Sequence, residues 1–144
     1  MADFQFNIAL GAVTEKVRDA ASNLGVLLVS ALEPDDAARD HADLAALLGA
    51  AGNTEVSDPS YSRKTGLTGT VTVDDANNES DVDVPDQTFS ALAGPDPTDL
   101  IVFYDEGGTD ATRVPLTNHD FPVTSDGSDV TAQFAASGFA RTSG

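Results

Sequence analysis

Leu100-Ile101-Val102-Phe103-Tyr104, then Asp105-Glu106-Gly107-Gly108-Thr109-Asp110-Ala111-Thr112, then Arg113-Val114-Pro115-Leu116-Thr117-Asn118-His119-Asp120-Phe121 is the stretch that decides the fold of this chain. The first segment is a continuous apolar run of strand length, which requires burial on both faces. Gly107 and Gly108 offer the positive-φ positions that a turn needs before the chain resumes at Thr112, so the whole reads as a β-hairpin. Pro115 in the second strand has no N–H to give to a ladder; it predicts a bulge or a sheet edge there. An exposed edge at that position is a candidate assembly surface.

Upstream, Phe4-Gln5-Phe6-Asn7-Ile8 precedes Ala9, Val13, Val17, Ala20 and Leu24 at spacings of three or four, which predicts an amphipathic helix with a stop at Asn23-Leu24-Gly25. Val26 to Val29 then reads as a buried strand. Pro34-Asp35-Asp36 is a helix start, because proline fits the first turn and carboxylates favour the positive end of the helix dipole. That second helix is expected to reach Leu48 on a stripe of Leu44, Leu47 and Leu48. Residues 52–66 are polar and turn-rich and predict a surface loop carrying Arg63 and Lys64. Leu67, Gly69, Val71 and Val73 alternate with threonines as a half-buried strand.

Residues 74–86 form an acidic connector, residues 87–92 a short strand, and Val130, Ala132 and Phe134 alternate as another, with a closing segment near Phe139. About six or seven short strands separated by turns predict a mainly β protein, an antiparallel β-sandwich or barrel with one or two helices in its N-terminal third. The 144 residues suit a single domain: an N-terminal arm or helix over 1–24 and a β-rich body over 25–144 with a helical insertion around 35–48.

Charge is the dominant compositional fact, with 24 acidic against 7 basic residues and a formal net charge of -17. A basic nucleic-acid footprint is disfavoured. Such a charge makes a compact fold repel itself in dilute buffer, whereas at 1 M salt the screening length falls to about 3 Å. The pattern suits a halophilic setting; a GC-rich genome also favours Ala, Gly and Asp but should raise Arg as well. There is no cysteine, so disulfides and thiolate chemistry are excluded. No apolar run nears the roughly 20 residues of a membrane span, and the start lacks the positive charge of a signal peptide.

Asp75, Asn77, Glu79, Asp81 and Asp86 space their oxygens as a calcium loop would, yet Ser80 stands where such a loop needs glycine. A solvated acidic loop is the expectation, with these five residues as weak metal candidates. Asp105, Glu106 and Asp110 crowd the hairpin turn for conformational reasons of their own. Neither His41 nor His119 has a recognisable catalytic context, and no Gly-x-Ser-x-Gly elbow, phosphate loop or His-Glu-x-x-His pair occurs. No catalytic residue, cofactor or enzyme activity is expected.

The order of segments carries a resemblance. Val26-Leu27-Leu28-Val29-Ser30 precedes Pro34-Asp35, Asp40-His41 with Leu44, and Thr65-Gly66 with Thr68-Gly69 and Val73; then come Asp86-Gln87-Thr88-Phe89, the hairpin with its Thr109-Asp110-Ala111-Thr112, Asp120-Phe121, and Asp129-Val130-Thr131 with Phe134, Gly138-Phe139 and Arg141. From Val26 onward this resembles a family of small minor capsid, or virion structural, proteins of tailed viruses. The departures are the absence of Trp and a loosely comparable N-terminus. The resemblance implies a non-enzymatic decoration protein on the capsid exterior, made in the host cytoplasm and bridging capsomers of the major capsid protein, with a trimer suiting three-fold lattice positions. A tail or neck component of the same virion, or an ion-dependent surface binding module, is the alternative. Phe4 and Phe6 as an anchoring arm, and Arg63 and Lys64 as a basic spot, are the candidate contacts.

Overall fold

Two strands with no polar face lie at the centre of the protein. The computed structural model describes residues 2–19 and 22–143. In chain order, β1 (Phe4–Gln5), a 3-10 turn (Asn7–Ala9), α1 (Val13–Asp19), β2 (Leu24–Ala31), α2 (Asp35–Ala38) and α3 (Leu44–Gly49) are followed by β3 (Thr54–Glu55), β4 (Lys64–Leu67), β5 (Thr70–Asp74), β6 (Glu79–Asp83) and β7 (Gln87–Phe89). The chain ends with β8 (Asp99–Asp105), a 3-10 turn (Asp110–Thr112), β9 (Arg113–Asp120), β10 (Val130–Ala132) and β11 (Ala140–Ser143). The fold is mainly β with antiparallel, sandwich-like sheets, as the sequence predicts, although it has more and shorter strands than expected.

The main sheet runs β1-β9-β8-β2-β3, with β4 also paired to β2; β10-β7 and β11-β6-β5 are separate small sheets. Because β2 and β8 are apolar throughout, alternate residues feed opposite cores. Leu24, Val26, Leu28, Leu100, Val102 and Tyr104 point to the small sheets and α1, meeting Val17, Val82, Phe89 and Phe139. Leu27, Val29, Ile101 and Phe103 point the other way, to Phe4, Phe6, Ala38, Leu44 and Leu47. The main sheet is thus sandwiched between a helical layer and a layer of small sheets.

The central hairpin forms as expected, from Asp99↔Asp120 to Asp105↔Arg113, and its register shifts where Pro115 sits opposite Phe103. The bulge absorbs the missing proline N–H. The edge there is partly covered: β1 pairs with Thr117 and Asn118, and Phe6 N–H donates to the Leu116 carbonyl at 3.0 Å. Of the two turn glycines only Gly108 takes a positive φ (+80°).

Four expectations need correction. The first helix is shorter than predicted: Phe4 belongs to a strand, Leu24 opens β2, and α1 covers only Val13–Asp19, while Ala20 lies outside the described residues. The second helix is two, because Asp43 leaves helical geometry (φ -149°, ψ 166°) and accepts the Ala46 N–H, restarting the helix as its N-cap. The 52–66 loop contributes β3 and β4 to the main sheet. The alternating run at 67–73 is split, β4 joining the main sheet and β5 crossing to a small one.

The acidic connector is also structured. Its residues 79–83 are strand β6, joined to β5 through a turn in which Asn78 adopts φ +55°. No helix among the described residues is long and apolar enough to cross a membrane.

Candidate functional site

The hairpin tip is closed by its own polar groups. Asp105 Oδ1 accepts the Gly108 N–H at 2.6 Å, and its Oδ2 accepts Arg113 Nε at 3.0 Å. Thr109 and Thr112 cap the following 3-10 turn reciprocally. Arg63, brought in from the segment before β4, grips Glu55 through Nε and Nη2 at 2.6 Å each and turns its remaining face to Asp110, which Arg113 also reaches at 3.1 Å. Such a fork matches carboxylate geometry on two sides at once.

Electrostatics follow from that geometry. The Arg63 hydrogen bond holds the Asp110 carboxyl below its ordinary range, helped by Arg113. Burial works against the ionised Asp105, but the Gly108 N–H and Arg113 outweigh it and lower its pKa. Glu55 raises the Arg63 guanidinium further, and Tyr61, whose hydroxyl donates to Glu55 at 2.9 Å and accepts the Leu28 N–H at 3.0 Å, is pushed up by burial. Arg63 therefore ties β3 to the hairpin tip, and its side chain is only 18% exposed. As a contact for a foreign acidic surface it is already occupied. Lys64 lies over the Phe89 ring, 5.1 Å from its centroid.

The C-terminal part of the resemblance is architectural as well. Gly138 has φ +73°, and a Cβ there would sit 2.0 Å from the Val82 carbonyl oxygen, so no other residue fits without moving β6. Phe139 N–H donates to that carbonyl at 2.9 Å, and its ring enters the core. Arg141 crosses from β11 to Asp81 (2.7 Å) and Glu79 (3.0 Å) on β6.

Those ion pairs disperse the metal candidates. Glu79 and Asp81 are held by Arg141; Asp86 accepts the Phe134 N–H at 2.8 Å; Asn77 bonds to Asp74 at 2.8 Å; Asp75 is exposed in the β5–β6 turn. The five do not converge, and among the described residues no group of three or more His, Asp or Glu is placed to hold a metal ion.

The histidines have structural partners. His41 Nε2 lies 2.6 Å from Glu33 Oε1, which also accepts Asn53 Nδ2 at 2.8 Å; these bonds lower the Glu33 pKa and pin the α2–α3 linker to the end of β2. His119 lies between Thr117 Oγ1 (2.9 Å) and Asp3 Oδ2 (3.3 Å), beside a cavity of about 320 Å³ lined with Phe121, Phe134 and Phe139. Phe4 and Phe6 are buried edge to face, 5.1 Å apart, in the helical-side core. They cover this chain's own sheet and are not a free arm.

What the sequence reading missed is apolar and exposed: Ile8 (48%), Leu10 (62%) and Val73 (60%). Val73 ends an alternation that predicted burial, yet it stays 60% exposed. It lines a groove of about 480 Å³ with Gly11, Val13, Arg18, Ser80 and Ala140, where Ser80 Oγ is buried with no hydrogen-bond partner. Comparison with protein-family models, curated proteins and solved structures finds no match for this chain.

Proposed function

We propose that this chain is a structural component of a virion: a decoration or minor capsid protein on the head of a tailed virus with a salt-loving host, seated on the major capsid protein. The observation that carries the reading is the use made of the residues behind the resemblance. Asp105, Gly108, Thr109, Asp110 and Thr112 close a turn, Gly138 and Phe139 lock β6, and Arg141 pairs with Glu79 and Asp81. These residues serve the scaffold, and a signature of scaffold residues supports a protein whose work is mechanical.

Physically, a decoration protein bridges neighbouring capsomers, so several small contacts add by multivalency and resist outward pressure from packaged genome. The -17 charge favours association at high ionic strength, where repulsion between acidic surfaces is screened. The test is the copy number of this chain in purified particles. Hundreds of copies per particle are expected for lattice decoration; six or twelve would replace this reading with a tail or neck ring, and none would remove the virion reading altogether.

A further inference from the structure

The β11-β6-β5 sheet has two outer edges, and they differ. The outer edge of β11 faces the chain's own N-terminal strand: Phe4 and Gln5 of β1 line one cavity with Ala140 and Arg141. Among the described residues no strand pairs with the outer edge of β5. Of the strands that end a sheet in the described residues β5 is the longest, at five residues. An unpaired strand edge presents a row of N–H and C=O groups ready for another strand, and soluble proteins guard such edges with lysine, proline or a bulge. Thr70-Val71-Thr72-Val73-Asp74 has none of these: its ladder with β6 is regular from Thr70↔Asp83 to Asp74↔Glu79. Its one carboxylate is turned inward on the adjacent turn, where Asp74 accepts from Ala76 and Asn77.

The groove that crosses the face of this sheet from Val73 to β11 adds two observations. Arg18, on its rim, is the one basic side chain among the described residues without a hydrogen bond, ion pair or ring contact of its own, in a chain with 24 acidic residues. Val73, on the α1 face of the sheet, is more than half exposed.

We infer that the β5 edge is the seam of a two-fold dimer, in which β5 of a second copy adds antiparallel with Thr72 opposite Thr72. Antiparallel pairing about a two-fold axis is self-complementary, and it places like faces together. In this register Val73 of each copy lies opposite Val71 of the other, so the Ala140-Val82-Val71 row continues across the seam and the exposed valine becomes a core residue. The α1 helices of both copies fall on the same face. α1 carries both the unpaired Arg18 and the exposed Glu15 and Asp19, so this face brings opposite as well as like charges to the seam, while the valine row and the strand hydrogen bonds hold it when salt screens them. At low ionic strength the two net charges of -17 oppose this contact, and molar salt screens them. The dimer is therefore salt-gated. It follows from the strand edge and holds whether or not the protein belongs to a virion.

Because the chain has no cysteine, Thr72→Cys introduces a single thiol. Directly opposed residues of an antiparallel pair have Cα atoms about 4.5 to 5.5 Å apart, within disulfide range. Thr70→Cys, two positions away on the same strand, would be about 13 Å from its counterpart. In 3 M KCl with oxidised glutathione as electron acceptor, Thr72→Cys is expected to form a covalent dimer at least ten-fold faster than Thr70→Cys. Sedimentation of the unmodified chain should give twice the 14.8 kDa chain mass in 3 M KCl and monomer in 0.1 M KCl. Val73→Lys, at an exposed site, should be monomeric in both with an unchanged circular dichroism spectrum. A wild-type monomer or trimer in 3 M KCl, or equal cross-linking of the two cysteine variants, overturns the proposal.

Discussion

The β8–β9 hairpin and the β5–β6 hairpin are both antiparallel, regular over most of their length and rich in β-branched residues, yet they stand in opposite physical situations. The first is sealed: apolar on both faces, flanked by β2 and β1, with its tip clamped by Arg63 and Arg113. The second is open, with one partly covered face, an unpaired outer strand and a valine in solvent. A hairpin whose two strands are flanked by others and whose tip is clamped can only hold the protein together, whereas one left with an open edge can hold it to something else. The difference assigns stability to the stretch with the strongest sequence signal and association to β5, which reads as an ordinary half-buried strand.

The largest expected effect tests that division of labour. Phe103→Ala empties a ring-sized volume between the main sheet and the helices and should cost about 3 to 5 kcal/mol in denaturant unfolding. Val73→Ala should stay within about 0.5 kcal/mol for the monomer. Comparable losses at the two sites would break the distinction.

Next in size is Arg63→Ala, which leaves Glu55 and Asp110 without their shared cation. A fully buried pair broken in this way costs about 3 to 5 kcal/mol, and the partial exposure of this one reduces the expectation to about 2 kcal/mol. Arg141→Ala, on an exposed guanidinium in the open sheet, should cost less than about 1 kcal/mol.

A smaller effect is that of acid. Asp105 and Asp110 have folded-state pKa values below their unfolded ones, so their contribution is fully present above the unfolded value near 4 and is lost as pH falls through the depressed folded values. Melting followed from pH 5 to pH 2 should show this loss. Asp110→Asn should flatten the curve, and an unchanged slope would remove the clamp from the account.

The sealed region was legible because β2 and β8 are apolar over a full strand length; β9 follows from its place after the Gly107-Gly108 turn and β10 from the alternation of Val130 and Ala132. β6 and β11 carry no such signal, since Glu79-Ser80-Asp81-Val82-Asp83 and Ala140-Arg141-Thr142-Ser143 are polar runs made into strands by ion pairs between residues 60 apart. The same distance hides the clamp: Arg63 reads as a solvent-facing basic spot because its partner Asp110 is 47 positions away. Phe4 and Phe6 were ambiguous for a related reason, as an aromatic pair near a terminus looks alike whether it covers its own sheet or a neighbour's. The β5 edge was invisible because an open edge is a property of what fails to pair.

Amide hydrogen exchange in 3 M KCl at low and high protein concentration tests the contrast most directly. Association through the open hairpin predicts that exchange across Thr70–Asp74 slows as concentration rises, while Leu100–Tyr104, already sealed, exchanges at the same slow rate throughout. Concentration-independent exchange at Thr70–Asp74, or new protection confined to β9 or β11, would contradict it.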